Sequence, residues 1–258
     1  MKTLALYSIK GGVGKTAAAV NLAYLAARDG ARTLLWDLDP QASSSFYFRI
    51  KARVRGGGKG LIGRTIDLDE LIKGSDFDNL DLLPSDFSFR NLDLYLDDSK
   101  KPIGRISKIL RPLREEYDYI FLDCPPNISL LSESVFGAAD ALISPIIPTI
   151  LSVRTLKQLE KHIEGHSECR AELLPFFSMV DLRKKLHREV VESLRKDFPP
   201  MLNTQIPYAS DIEQMGLHRA PVPRYATNSR SAIAFRELWN EIKGQLGNSD
   251  SVIGRVLT

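Results

Sequence analysis

A glycine-rich segment near the start of the chain combines residue types that bind phosphate. It lies between an apolar stretch and an alanine- and leucine-rich stretch, and it reads Lys10-Gly11-Gly12-Val13-Gly14-Lys15-Thr16. Glycines let backbone N–H groups curve around phosphate oxygens, and a helix that begins here adds partial positive charge. Lys15 is expected to reach the β- and γ-phosphates, and the Thr16 hydroxyl is expected to ligate Mg²⁺. Ala17, which follows directly, is also expected to contact the nucleotide. The segment predicts a MgATP site; the alternative is a tight strand-to-helix turn with an incidental lysine.

Lys10 is a second lysine in a loop that already has Lys15 for the phosphates. Position 9, where the common GxxxxGK[ST] pattern has its first glycine, is Ile9. One interpretation of Lys10 is a solvated charge that attracts phosphate in general. The other is that Lys10 points outward to a phosphate held by a second subunit, where it would neutralise transition-state charge.

Three aspartates follow apolar runs that are predicted to be strands. Asp39 lies just beyond one run, where a carboxylate can hydrogen-bond a water in line with the γ-phosphate or help to hold the metal. Asp37 is a rival for that role, and Asp39 could also simply form the turn before Pro40. Asp123 ends another run, where an aspartate typically holds Mg²⁺; the alternative is a capping residue.

The surrounding pattern predicts an α/β fold with a doubly wound, mostly parallel sheet and helices on both faces. The apolar runs have few polar interruptions, which is typical of strands covered on both faces, and they are Thr3–Ile9, Thr33–Asp37, Tyr119–Asp123, Ala141–Ile147 and Leu173–Val180. Predicted helices alternate with them over Thr16–Asp29, Val153–Ile163, Lys184–Lys196 and Ser231–Leu246. We expect one domain over residues 1–258, with a mobile basic loop at 49–64 and a frayed tail at 247–258.

Charge and composition limit the classes of function. The chain has 258 residues and a net charge of only +3, so nucleic acid would have to bind at a local basic patch. Its two cysteines are far apart and predict reduced thiols. Neither a signal peptide nor a bilayer-spanning stretch is visible, so we expect a soluble, cytoplasmic protein.

Taken together, the motifs resemble the ParA/MinD family of deviant Walker A ATPases. The phosphate loop is joined by Trp36-Asp37-Leu38-Asp39-Pro40-Gln41-Ala42-Ser43 and by Tyr117-Asp118-Tyr119-Ile120-Phe121-Leu122-Asp123-Cys124-Pro125-Pro126. A looser likeness continues through Ser178-Met179-Val180-Asp181, Ile206-Pro207 and Ser229-Arg230-Ser231-Ala232. The Asp-Pro-Gln form is similar to the ParA branch. The resemblance implies that adenine lies near Met179, Asp181 and the turn at Ile206 and Pro207.

The resemblance also implies a working cycle. ParA-like proteins form an ATP sandwich homodimer, bind DNA without sequence preference and are reset when a ParB-like partner stimulates hydrolysis. Such a protein would be associated with the nucleoid in its ATP state. Three basic stretches could contact DNA, Arg49–Arg64, Arg183–Lys196 and Arg219–Arg236, although such stretches are often only solvated surface. Within them the expected contacts are Arg183, Lys184, Lys185, Arg219 and Arg230.

Two other functions stay open. One is a MinD-like, membrane-cycling switch, for which the tail at 252–257 is a poor anchor because it has one basic residue and a central glycine. The other is a metabolic phosphoryl-transfer enzyme or an ATP-driven reductase on the same scaffold. Because the chain begins directly in its first predicted strand, we do not expect a sequence-specific repressor.

Overall fold

The strands form a single sheet that is parallel except at one edge. The computed structural model describes residues 1–166, 168–169 and 171–256, with only the backbone described for 248–256. The strands are β1 Lys2–Leu6, β2 Thr33–Asp37, β3 Lys73–Gly74, β4 Leu80–Leu83, β5 Tyr119–Asp123, β6 Ala141–Ile146, β7 Glu172–Val180 and β8 Gln205–Pro207. Their order in the sheet is β3-β4-β2-β5-β1-β6-β7-β8, and only the β3–β4 pair is antiparallel among the described strands.

Helices connect the strands. They are α1 Lys15–Arg28, α2 Ser43–Tyr47, α3 Gly57–Gly63, α4 Leu68–Leu71, α5 Leu92–Asp97, α6 Arg105–Leu110, α7 Leu130–Phe136, α8 Ile150–Glu164, α9 Lys185–Asp197, α10 Ser210–Glu213, α11 Met215–His218, α12 Val222–Tyr225 and α13 Arg230–Val256. Two 3₁₀ helices, Phe87–Asn91 and Arg111–Glu115, lie between them. Among the helices as described, none is long and apolar enough to cross a membrane.

Both faces of the sheet are covered. In β5, Phe121 packs into the core that includes α1 and α13, whereas Ile120 and Leu122 pack into the opposite core with α3 and α5 to α7. A smaller apolar cluster lies under α8 and α9. Apolar side chains on both sides of each central strand explain why these strands read as nearly continuous apolar runs. The predicted doubly wound α/β fold is confirmed.

The missed strands are short and lie toward the sheet edges. The five predicted strands are all present, and two of them have the predicted bounds, Thr33–Asp37 and Tyr119–Asp123. Strand β4 has four residues and is interrupted by Asp81, and β8 has three residues that end at Pro207. Such short runs give too little periodicity to be recognised in sequence.

The segment 49–64, predicted as a mobile basic loop, contains α3, so the prediction of a loop is wrong over Gly57–Gly63. The glycines there permit close packing, because a Cβ added to Gly58 would lie 2.8 Å from Leu92 Cδ2. The Gly58 N–H also donates to Ser88 Oγ at 2.7 Å. Mobility of the segment stays a prediction. At the other end, α13 runs to Val256, into the segment predicted as a frayed tail, and residues 257–258 lie outside the described residues.

Candidate nucleotide-binding site

The carboxyl ends of three central strands meet at one edge of the sheet. In the pairing of β5 with its neighbours, Asp123 lies opposite Leu6 of β1 and opposite Asp37 of β2. The predicted phosphate loop follows β1 and Asp39 follows β2, so both emerge beside Asp123. Ligands of open α/β sheets bind at this edge.

The phosphate loop has the backbone conformation that its glycines permit. Gly12 and Gly14 have φ angles of 69° and 92°, in the region that side chains with a Cβ rarely adopt. Gly14 has no room for a side chain, because an added Cβ would lie 2.9 Å from Ser178 Oγ. Helix α1 begins directly afterwards at Lys15, so its free N–H groups point toward the loop.

Lys15 is held inside the loop and not in solvent. Its side chain is buried, and Nζ donates a hydrogen bond to the carbonyl oxygen of Lys10 at 3.3 Å. Burial lowers the pKa of Lys15, while the neighbouring Asp123, Cys124 and Asp39 oppose that shift. A desolvated ammonium in this position interacts strongly with an incoming phosphate.

Asp123 and Asp37 are fully buried neighbours, but they differ in their hydrogen bonds. The Asp37 carboxylate accepts from the Ser45 N–H at 2.9 Å, the Ser45 hydroxyl at 2.8 Å and the Asp39 N–H at 3.2 Å. Asp123 Oδ2 accepts from the Ser44 hydroxyl at 2.7 Å, whereas its Oδ1 has no hydrogen-bond partner within the described part of the chain. Asp37 therefore fastens α2 to β2, and Asp123 keeps an oxygen for a ligand.

The buried carboxylates resist ionisation. Desolvation raises the pKa of Asp37, and the charge of Asp123 raises it further. Desolvation likewise raises the pKa of Asp123, whereas the hydrogen bond from Ser44 and the nearby Thr16 hydroxyl lower it. A buried oxygen without a partner is costly, and a cation would remove that cost. The pair of Asp123 and Thr16 thus fits the oxygen ligands that Mg²⁺ prefers.

Asp39 lies at the rim of the site and is half-buried. Its Oδ1 accepts a hydrogen bond from the Gln41 N–H at 2.9 Å. Asp39 therefore does form the turn that was the alternative to a catalytic role. The charge of Asp39 also acts on Lys15, where it opposes the lowering of the lysine's pKa. The turn role and a role toward water are therefore compatible.

An apolar cleft lies beside the start of α1. Of the residues predicted to contact adenine, Met179 and Pro207 line it, together with Gly14 and Ala17 of the loop region. Asp181 is not among the lining residues; it forms an ion pair with Arg183 at 2.8 Å, and that hydrogen bond holds its pKa at about 2. Ile206, the other residue of the predicted turn, also lines the cleft. Further cleft residues were not predicted from the sequence, among them Phe176, Tyr208, Ile212 and Phe235. Apolar walls of this kind suit a planar base.

Comparisons with known proteins identify the family of this chain. A family model for an AAA domain matches residues 1–173. The sporulation initiation inhibitor protein Soj of Bacillus subtilis is 30% identical over 250 residues, which cover 93% of this chain and 98% of that protein. The chain belongs to the ParA/MinD family of P-loop ATPases. The chromosome partitioning protein ParA of Caulobacter vibrioides is 28% identical over 251 residues, which cover 94% of each chain.

Solved structures are similar in fold to this ParA/MinD chain over nearly its whole length. An aspartate-to-alanine variant of Cyanothece McdA in complex with ATP matches with a TM-score of 0.81 at 23% identity, covering 96% of each chain. Cobyrinic acid a,c-diamide synthase of Mycobacterium smegmatis, with an ATP analogue and magnesium bound, has the same TM-score and identity and covers 93% of each chain. A McdA protein and a synthase are equally similar, so the fold by itself does not choose between a switch and a metabolic enzyme.

The basic residues predicted to contact DNA differ in how freely their side chains are exposed. Arg183, Lys184 and Lys185 are exposed at the start of α9, although Arg183 is paired with Asp181. Arg230 is exposed at the start of α13. Arg219 instead stacks its guanidinium over the Phe46 ring, 4.5 Å from its centroid, and donates to the Phe46 carbonyl oxygen.

Proposed function

We propose that this chain is a ParA-type ATPase switch that positions or partitions a cargo. ATP binding drives formation of a homodimer, the dimer holds DNA without sequence preference, and a ParB-like partner resets it by stimulating hydrolysis of ATP to ADP and phosphate. The observation that carries the ATPase part is the buried Asp123 oxygen without a partner, beside Thr16 and at the base of a loop that also holds Lys15. Family membership with Soj and ParA supports the rest.

In this proposal each residue of the site has a separate task. Asp123 and Thr16 hold Mg²⁺, which offsets the negative charge of the phosphates when it is bound. Lys15 binds the β- and γ-phosphates, and the N–H groups from Gly11 to Thr16 surround them. Asp39 orients the attacking water, and the apolar cleft takes adenine.

We assign the Lys10 side chain to contact the phosphate that the second subunit of the dimer holds. The carbonyl oxygen of Lys10 accepts the hydrogen bond from Lys15, so the backbone of Lys10 supports the neighbouring lysine in the same loop. Its side chain is only half-buried and is therefore accessible to a partner. A cation supplied in trans neutralises charge that develops in the transition state, which would make hydrolysis slow in the monomer.

The DNA surface is assigned to exposed arginines and lysines at two helix starts. These are Arg230 on α13 and Arg183, Lys184 and Lys185 at α9. Arg219 and Arg183 are weaker assignments, because the guanidinium of Arg219 stacks on Phe46 and that of Arg183 is paired with Asp181. Phosphate contacts carry no sequence information and weaken with salt, which agrees with binding that is not sequence-specific. We assign the protein to the cytoplasm and, in its ATP state, to the nucleoid.

An ATP-trapping variant tests the proposal. Asp39→Ala should bind ATP but not hydrolyse it, so we expect dimers in ATP and monomers in ADP by light scattering. The ATP form should bind nonspecific DNA, and the affinity should fall steeply between low and high salt. An ATP dimer that ignores DNA would refute the DNA role, and the absence of any ATP-dependent dimer would refute the switch.

A second pair of substitutions locates the DNA surface in the Asp39→Ala background. Arg230→Ala should weaken DNA binding and reduce the slope of log affinity against log salt by about 1. Arg28→Ala is the matched control, because Arg28 is exposed at the far end of α1, away from the phosphate loop. Equal loss in both variants would contradict the assignment to Arg230.

A further inference from the structure

A second cluster of ligand-type side chains lies away from the nucleotide site, between α7 and the end of α8. Glu133 comes from α7, His162 from the last turn of α8, and His166 from just beyond that helix. One ligand atom from each lies within 4.8 Å of the other two. The two imidazole centroids are 4.2 Å apart. No role in the nucleotide site accounts for this grouping.

Each of the two histidines has a ring nitrogen, Nε2, that is available to bind a metal. His166 Nδ1 lies 2.6 Å from the carbonyl oxygen of His162, which can only accept, so Nδ1 carries the proton and Nε2 keeps a free lone pair. A backbone carbonyl that fixes the tautomer is the usual second partner of a metal-bound histidine. His162 Nε2 is buried and has no hydrogen-bond partner among the residues described. Such a buried nitrogen needs a partner.

The surroundings favour a cation. The carboxyl end of α8 contributes partial negative charge at this point. A cavity beside the cluster is lined by polar residues of this region, Glu133, His166, Glu168 and Cys169, together with Ile103, Phe136 and Gly165.

We propose that Glu133, His162 and His166 form a binding site for a zinc ion. Two imidazole nitrogens and one carboxylate are a donor set that Zn²⁺ accepts, and its fourth position would open to the adjoining cavity. A hard ion such as Mg²⁺ prefers oxygen ligands and suits this set poorly.

The site would connect to the segment that follows Asp123. The Phe136 ring at the end of α7 packs edge-on against His162 and against Tyr7, with centroid distances of 6.1 and 4.7 Å. The Tyr7 hydroxyl donates to the carbonyl oxygen of Asn127 at 2.8 Å, in the loop between β5 and α7. An ion that joins α7 to α8 would therefore restrain the helix that leads out of the nucleotide site.

Zinc titration of the full chain without an affinity tag tests the site. Titrations without nucleotide and in excess Mg²⁺, with a chromophoric chelator as competitor, should show one tight equivalent in the wild type. His166→Gln and Glu133→Gln should each weaken that equivalent at least about tenfold. The matched control is His218→Gln, which changes a histidine stacked on Tyr225 and should bind as the wild type does. A wild type without tight zinc, or equal zinc affinity in all four proteins, would overturn the proposal.

Hydrogen exchange separates this site from zinc bound elsewhere. Added zinc should raise the thermal midpoint and slow amide exchange in residues 130–136 of the wild type and of His218→Gln. Neither change should occur in His166→Gln. Because this side chain is exposed, the substitution should leave the fold intact, and the thermal midpoint of the zinc-free sample checks this. Zinc that binds but leaves exchange in 130–136 unchanged would rule out an ion that joins α7 to α8.

Discussion

Replacing Gly14 by alanine tests how tightly the phosphate loop is built. Two features of the structure oppose a side chain at this position. The φ of Gly14 is 92°, and an added Cβ would lie 2.9 Å from Ser178 Oγ on β7. Gly12 provides a matched comparison, because its φ of 69° is also positive but no atom lies within 4 Å of its added Cβ. The two glycines therefore separate backbone strain from steric clash.

The expected losses of stability follow from these geometries. A left-handed backbone conformation costs a residue with a Cβ about 1–2 kcal/mol. The lower entropy of the unfolded chain with alanine returns about 0.4–1 kcal/mol. Gly12→Ala should therefore lower the free energy of unfolding by about 1 kcal/mol. Gly14→Ala carries a comparable strain and, because it displaces a buried hydroxyl, a further loss of about 1–3 kcal/mol.

Urea denaturation of the nucleotide-free protein measures these differences without a contribution from ATP. Removing the hydroxyl should relieve the clash but not the strain, so Gly14→Ala combined with Ser178→Ala should recover most of the further loss. Ser178→Ala alone supplies the remaining corner of this double-mutant cycle. The reasoning is refuted if Gly14→Ala is no less stable than Gly12→Ala, or if the second substitution restores nothing.

Three further predictions concern charges. Lys15→Ala should abolish ATP binding measured by calorimetry, whereas Lys10→Ala should retain it but lose ATP-dependent dimerisation or hydrolysis; normal dimers and turnover would disprove a role in trans. Asp123→Asn removes one of two adjoining buried carboxylates, so the nucleotide-free protein should unfold at higher urea while Mg²⁺-dependent hydrolysis is lost; a less stable variant would contradict this. Burial opposes ionisation of Asp29, but hydrogen bonds led by that from Lys243 hold its pKa below the usual range. Its stabilising effect is therefore present above the unfolded carboxyl pKa of about 3.9 and lost as the pH falls below it, so wild type and Asp29→Asn should converge in stability there.

The sequence by itself determined the parts of the molecule that are contiguous. The phosphate loop, the strand that precedes it and the helix that follows it lie within thirty residues of one another by number, so local pattern suffices to recognise them. The same holds for β5 with Asp123 at its end. Family resemblance then added the adenine contacts, of which Met179 and Pro207 line the cleft and Asp181 does not.

Only the tertiary structure decided which distant side chains meet. Ser44 and Asp123 are 79 positions apart, and their hydrogen bond occupies only Oδ2 of Asp123. Its Oδ1 has no partner among the described residues, and this distinguishes the metal-type carboxylate from Asp37. The glycines at 56–58 predicted a loop, but they lie at the start of α3, where the helix packs closely against its neighbours. A residue without a Cβ permits both a flexible backbone and a close approach of two segments, so the sequence does not distinguish them. Glu133 and His162 likewise show no common motif in the sequence. Contacts of this kind depend on how strands and helices pack, and local residue patterns carry little information about packing between remote segments.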